Sequence, residues 1–219
     1  MTTKLPAPRA LLFDWDGTLI DNWDAIVHGI NDALTAFGKP VWSRAEAMEQ
    51  ISASQRDSFP RLFGPEWQRA RDIFYAGFER EHLAALTVLD GAENLLKAAR
   101  TLPMGLVSNK AGGYLRKEAE FLGWTPRFRS VIGATDAPAD KPDPAPVHMA
   151  LEPMAIAAGP DVWFVGDSGT DMATARASGC TAILVRHKAA NPAPIPAELT
   201  PDLSVASLAA LMDALAEHL

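Results

Sequence analysis

The 219-residue chain is 48% hydrophobic and 21% charged, proportions of an ordinary globular protein rather than a disordered one, and its length suits one large domain or two small ones. Its formal net charge of −7, without any Lys/Arg run, disfavours attraction to nucleic acid, and no window offers the roughly 18 consecutive apolar residues that a membrane span needs. The single cysteine, Cys180, excludes an internal disulfide and weighs against a cysteine-rich zinc site, so the expectation is a cytoplasmic protein that engages neither membrane nor nucleic acid.

In chain order, the first predicted strand is ALLF, Ala10 to Phe13, which Asp14 interrupts; so short an apolar run does not read as a secretion signal. Few strand signals follow, because Asp14 and the next strand-end polar residue, Ser108, stand 94 positions apart. Within this interval Ile26, Ile30, Ala33, Leu34 and Phe37 recur at helical spacing, as do Trp67, Ala70, Phe74 and Phe78. Gly38 to Pro40 and Phe63 to Pro65 separate the helices. Residues 21–85 therefore read as an inserted helical module, after which LDGAENLLKAAR returns the chain to the core as a helix.

From there strands alternate with helices. MGLVS runs into Asn109, a helix is predicted from Gly112 to Leu122, and SVIGA runs into Thr135 and Asp136. DVWFVG ends at Asp167, a helix spans Thr170 to Ser178, and TAILV ends at Arg186. The Pro-rich segment 191–201 reads as a surface loop and SLAALMDALAEHL as a terminal helix packed on the sheet. The fold class is α/β, a Rossmann-like parallel sheet built from residues 1–20 and 86–219 with helices on both faces. Such sheets bind ligands beyond the carboxyl ends of their strands, which directs attention to the polar residues there.

Asp14 and Asp16, in Asp14-Trp-Asp-Gly-Thr18, stand at the first of these ends, and Gly17 favours a turn that aims both acids at one point. Asp-Gly is also a common turn former with no further task. Asp167 and Asp171, in Asp167-Ser-Gly-Thr-Asp171, follow the strongest apolar run and read either as helix caps or as a second acidic cluster. Four carboxylates side by side repel unless a hard cation intervenes, and Mg²⁺ prefers carboxylate oxygen, water and phosphate. Ser108 and Asn109 either cap the next helix or hold phosphate oxygens. Lys141, set among prolines, is either solvated or poised to offset a carboxylate and a phosphate.

Taken together, DWDGT, VSN, KP and GDSGTD, in that order and spacing, resemble the haloacid dehalogenase superfamily, and within it the phosphoglycolate phosphatase-like branch with a helical cap inserted after the first motif. The similarity spans essentially the whole chain. It implies that residues 21–85 are the cap, that Asp14 is the nucleophile forming an aspartyl phosphate, and that Asp16 protonates the leaving oxygen and then deprotonates water. It further implies that Mg²⁺ sits on the Asp14 side chain, the Asp16 backbone carbonyl and Asp167, with Asp171 holding it directly or through water, while Ser108 and Lys141 bind the phosphoryl group, for which Asn109 is a further candidate. Asp16 is absent from the dehalogenases, since halide leaves without a proton, so its presence favours phosphate chemistry. Trp15 and Asn22 depart from the usual pattern without removing a catalytic group.

The specificity residues of the cap are not marked by motif. Lys110, Arg56 and Arg61 are the candidates for a second anionic group on the substrate, beside the plainer reading of the two arginines as solvated side chains. The five histidines have no ligand-like spacing, and Trp23, Trp42, Trp67 and Trp124 read as packing anchors. The expected activity is Mg²⁺-dependent hydrolysis of a small phosphorylated metabolite by a monomer or homodimer. A phosphomutase on the same scaffold and a non-enzymatic module that accepts phosphate on an aspartate are the alternatives.

Overall fold

The computed structural model describes residues 5–51, 54–186 and 194–218. In chain order, β1 (Ala10–Phe13) and β2 (Ile20–Asp21) precede four helices, α1 (Trp23–Ala36), α2 (Arg44–Gln50), α3 (Gln55–Phe63) and α4 (Trp67–Glu81). Then come β3 (Thr87–Val88), α5 (Ala92–Ala98), β4 (Met104–Ala111), α6 (Gly112–Phe121), β5 (Ser130–Ala134) and α7 (Ala145–Leu151). The chain continues through β6 (Val162–Gly166), α8 (Gly169–Ser178), β7 (Thr181–Val185), β8 (Leu203–Val205) and α9 (Leu208–Ala216).

Six strands form one sheet in the order β5-β4-β1-β6-β7-β8, with every pairing parallel. Successive side chains of a strand point to opposite faces, and β1 divides accordingly. Leu11 and Phe13 pack with residues of α5, α6 and α9, whereas Ala10 and Leu12 pack with residues of α7 and α8. Because both faces are covered, the strands need no polar alternation, which is why they read in the sequence as unbroken apolar runs. Both ends of α8 carry stop signals: Ser168 and Asp171 form a reciprocal capping box, and Gly179 closes the helix at φ +73.

Helices α1 to α4 bury a separate apolar cluster that includes Ile30, Leu34, Phe59, Phe63, Phe74 and Phe78. Close approach of α1 to α4 depends on Gly29, where a Cβ would lie 2.7 Å from the Phe74 carbonyl oxygen. The helical spacings and both breaks agree with the observed helices.

Three features differ from the sequence reading. The strand predicted to stop before Asn109 runs on to Ala111, with an irregularity in its pairing to β5 between Val107 and Ala111; Ser108 and Asn109 therefore lie within β4. The antiparallel pair β2 and β3 brackets the helical insertion, and two residues per strand are too few to generate a periodic signal. The sixth strand, β8, is a three-residue edge next to the Pro-rich segment. Of that segment, 191–193 lie outside the described residues, and 194–201 run as loop with a short turn at Ala197–Leu199. Among the described residues no helix is long and apolar enough to cross a membrane.

Candidate active site

The carboxyl ends of β1, β4 and β6 and the loop after β5 converge on one cavity of about 140 Å³. Asp14 leaves the end of β1 and Asp167 the end of β6, central neighbours in the sheet. Asp14, Asp167 and Asp171 are all buried, and each offers a carboxylate oxygen within 4.8 Å of those of the other two. Gly17, at φ +81, lets the loop after β1 pass against this cluster, because a Cβ there would collide with the Asp167 carboxylate.

Lys141 enters between these acids. Its Nζ donates to Asp14 Oδ1 and to Asp171 Oδ1, both at 2.7 Å. Burial disfavours the ammonium, but Asp14 and Asp171 outweigh that cost and raise its pKa above the ordinary lysine value. The Asn109 side chain fixes the Lys141 backbone, donating from Nδ2 to its carbonyl (3.0 Å) and accepting its N–H at Oδ1 (2.9 Å). Ser108 lines the cavity, and its Oγ accepts the Lys110 N–H at 3.1 Å. Asp171 has two attachments, since its other oxygen, Oδ2, accepts from the Ser168 hydroxyl (2.6 Å) and N–H (3.0 Å) and from the Asp167 N–H (3.2 Å). The capping and charge-cluster readings of Asp171 are thus both realised.

Asp16 has different surroundings. Its Oδ1 accepts from Lys110 Nζ at 2.8 Å, and the same ammonium donates to Glu118 Oε2 at 2.6 Å. Burial raises the Asp16 pKa, Lys110 lowers it and Glu118 raises it again, leaving it at about 6. At Asp14, burial and the Asp171 charge raise the pKa and Lys141 lowers it, to about 7. Two acids of one motif therefore receive different lysines, Lys141 at Asp14 and Lys110 at Asp16.

Glu118 is the functional neighbour that sequence reasoning missed. It is fully buried and collects Lys110, the Trp15 indole N–H (2.7 Å), the Asn22 amide (2.9 Å) and His82 Nδ1 (3.1 Å). The two unusual residues near the first motif, Trp15 and Asn22, thus share one buried acceptor. A glutamate in a helix ordinarily reads as solvated. The available signal is phase: Leu115, Glu118 and Ala119 share one face of α6, and all three are buried.

Arg56 does not line the cavity. It lies on α3 and donates to the Pro138 carbonyl at 2.9 Å, with its Nε 3.4 Å from Asp140 Oδ2. The other wall of the cavity comes from α1, α3, α4 and α6, through residues that include Trp23, Phe59, Phe74 and Tyr114.

The arrangement joins a cavity-lining carboxylate, Asp14, a second acid beside it, a lysine against each, and two further buried carboxylates, Asp167 and Asp171, close to the first. It can bind an anionic ester and transfer an electrophilic group to Asp14. Residues 11–185 match the family model described as haloacid dehalogenase-like hydrolase. A phosphoglycolate phosphatase of Chromobacterium violaceum is 31% identical over 220 residues, covering 93% of this chain and 96% of the relative. One of Yersinia pestis is 28% identical over 203 residues, with 82% of each chain covered. In fold, the chain is similar to a haloacid dehalogenase-like family hydrolase from Streptococcus pneumoniae, with TM-score 0.83 at 18% identity and coverage of 94% of this chain and 98% of that one.

Proposed function

The chain belongs to the haloacid dehalogenase-like hydrolase family and is a phosphoric monoester hydrolase, and from that premise we propose that it is a Mg²⁺-dependent phosphatase of a small phosphorylated metabolite, acting in the cytoplasm through an aspartyl phosphate on Asp14. Its place among hydrolases sets aside the non-enzymatic phospho-accepting module. The observation that carries the reading is the meeting of Asp14, Asp167 and Asp171, with Lys141 bonded to the first and last of them and Asp16 alongside on Lys110.

The residues fit a Mg²⁺ ion. Three buried carboxylates each offer an oxygen within 4.8 Å of the other two, and every one of these donors is a hard oxygen of the kind the ion prefers. Asp14, Asp167 and the Asp16 backbone carbonyl would hold the ion, with Asp171 attached directly or through water. When bound, it supplies Lewis-acid stabilisation of phosphoryl oxygens and favours the ionised form of Asp14.

The remaining chemistry belongs to side chains. Lys141 and Ser108 bind the phosphoryl oxygens, Asn109 holds Lys141 in place, and an Asp14 oxygen attacks phosphorus. The bond from phosphorus to the ester oxygen breaks, and Asp16 gives that oxygen its proton. Asp16, now ionised, takes a proton from a water molecule whose oxygen attacks the same phosphorus. The Asp14–phosphate bond breaks, inorganic phosphate leaves, and Asp16 has its proton back. Covalent catalysis by a carboxylate divides one difficult displacement into two easier ones.

A panel of phosphomonoesters assayed for released phosphate, with Mg²⁺ and with chelator, tests the proposal. Phosphate release only in the presence of the metal, and none from Asp14→Asn, is the expected result. Full activity of that variant would refute the mechanism, and isomerised sugar phosphate in place of free phosphate would select a phosphomutase.

A further inference from the structure

The cavity wall opposite the carboxylates is built from rings. Phe74 and Phe78 stack with centroids 5.7 Å apart and planes at 10°. Tyr75 stacks on Tyr114 at 5.1 Å and 16°, and Tyr114 meets Phe78 edge-on at 5.2 Å. These four line the cavity together with Trp23 and Phe59. Because the rings pack on one another, the wall is formed in advance.

Charge on that wall matters more than its shape. The described lining residues contain two cations, Lys110 and Lys141, and both are paired. Lys141 lies between Asp14 and Asp171, and its remaining capacity belongs to the phosphoryl group. Lys110 lies between Asp16 and Glu118, so that one ammonium faces two carboxylates. A second anionic group on a substrate, such as the carboxylate of phosphoglycolate, would leave water for a ring-lined wall whose nearest cation is already outnumbered. Burying a charge without a partner is strongly unfavourable. Arg56, another candidate cation, is turned to Pro138 and Asp140.

Two neutral groups on the wall do lack partners. Trp23 Nε1, a donor, and Gln55 Oε1, an acceptor, are both buried, have no hydrogen-bond partner among the described residues, and belong to cavity-lining residues. They suit a hydroxyl or amide rather than a charge.

Resting on the phosphatase reading above, we infer that the preferred substrates are phosphomonoesters whose organic part is uncharged and carries an aromatic ring or a comparable apolar group, and that phosphoglycolate is a poor substrate. The whole cavity, at about 140 Å³, is similar in size to the roughly 150 Å³ apolar site that holds one benzene ring, and it must seat the phosphoryl group as well, so the organic part is no larger than a single ring.

The test compares wild-type kcat/KM for benzyl phosphate and 2-phosphoglycolate, both esters of primary alcohols, with p-nitrophenyl phosphate as an activated control. Burial of a ring against exclusion of a carboxylate is expected to favour benzyl phosphate by about 100-fold. Benzylphosphonate should also inhibit competitively at lower concentration than phosphonoacetate. Equal values, or a preference for phosphoglycolate, would overturn the inference while p-nitrophenyl phosphate turnover that depends on Asp14 leaves the phosphatase reading intact. No turnover of any of the three esters would bring down both.

Discussion

Among the described residues Lys141 is the one ammonium between Asp14 and Asp171, so its replacement by alanine leaves two buried carboxylates facing each other and a transferring phosphoryl group without that cation. Loss of one such electrostatic contact costs about 100- to 1,000-fold in kcat, and Lys141→Ala should show that loss in steady-state phosphate release. Glu118 acts at one remove. Glu118→Gln keeps the shape but leaves a neutral amide to meet Lys110, His82, Asn22 and Trp15, and should lower stability by about 1–3 kcal/mol, read as the urea midpoint with an unchanged slope. A midpoint equal to wild type would show that the buried hub contributes nothing. At this scale the sequence was informative at strand ends, where Asp14 and Asp167 meet, and in the loop after β5, from which Lys141 reaches Asp14. It was silent about Glu118, because what matters there is burial, and the burial of one helical position depends on which face the sheet covers. Asn109 lies between these cases, since its motif position was legible but its hold on the Lys141 backbone appears only once the loop after β5 has folded against β4.

The stacking of Tyr75 on Tyr114 joins α4 of the helical insertion to α6 of the sheet layer. Burial raises the Tyr75 pKa to about 12, with a further contribution from Tyr114, against an ordinary value of 10.0. Between these values the folded protein keeps a proton that the unfolded chain has lost, so this contribution is complete below about pH 10 and disappears as pH rises toward 12. Tyr75→Phe should therefore lose less stability than wild type between pH 9 and about 11, measured as urea midpoints at both values; parallel losses would contradict the assignment. Whole elements were legible in proportion to their length and burial. The apolar runs of β1, β5, β6 and β7 and the spacings of α1 and α4 declared themselves, whereas β2, β3 and β8 are two or three residues long and owe their state to their partners.

For the molecule as a whole, the parallel sheet brings acids 153 positions apart in the sequence, Asp14 and Asp167, to neighbouring strand ends, and the helices inserted after β2 cover them. Across that cover, Arg56 of α3 reaches the loop ahead of Lys141 through the Pro138 carbonyl and Asp140. If this contact helps to hold the helices over the cavity, Arg56→Ala should raise KM by about threefold to tenfold with little change in kcat, the pattern of lost uniform binding; a fall in kcat alone would point instead to a disturbed Lys141 loop. The alternation of strand and helix was enough to indicate the parallel sheet. The contact between the sheet and the insertion was not legible, because it joins residues far apart in the chain that carry no shared motif. The most direct test of the account uses substrate labelled in its phosphate, quenched in acid during turnover and followed by peptide mapping. Label on the peptide that contains Asp14, lost on hydroxylamine treatment and absent from Asp14→Asn, is the predicted result. Wild-type turnover by Asp14→Asn, or label that settles on another residue, would contradict it.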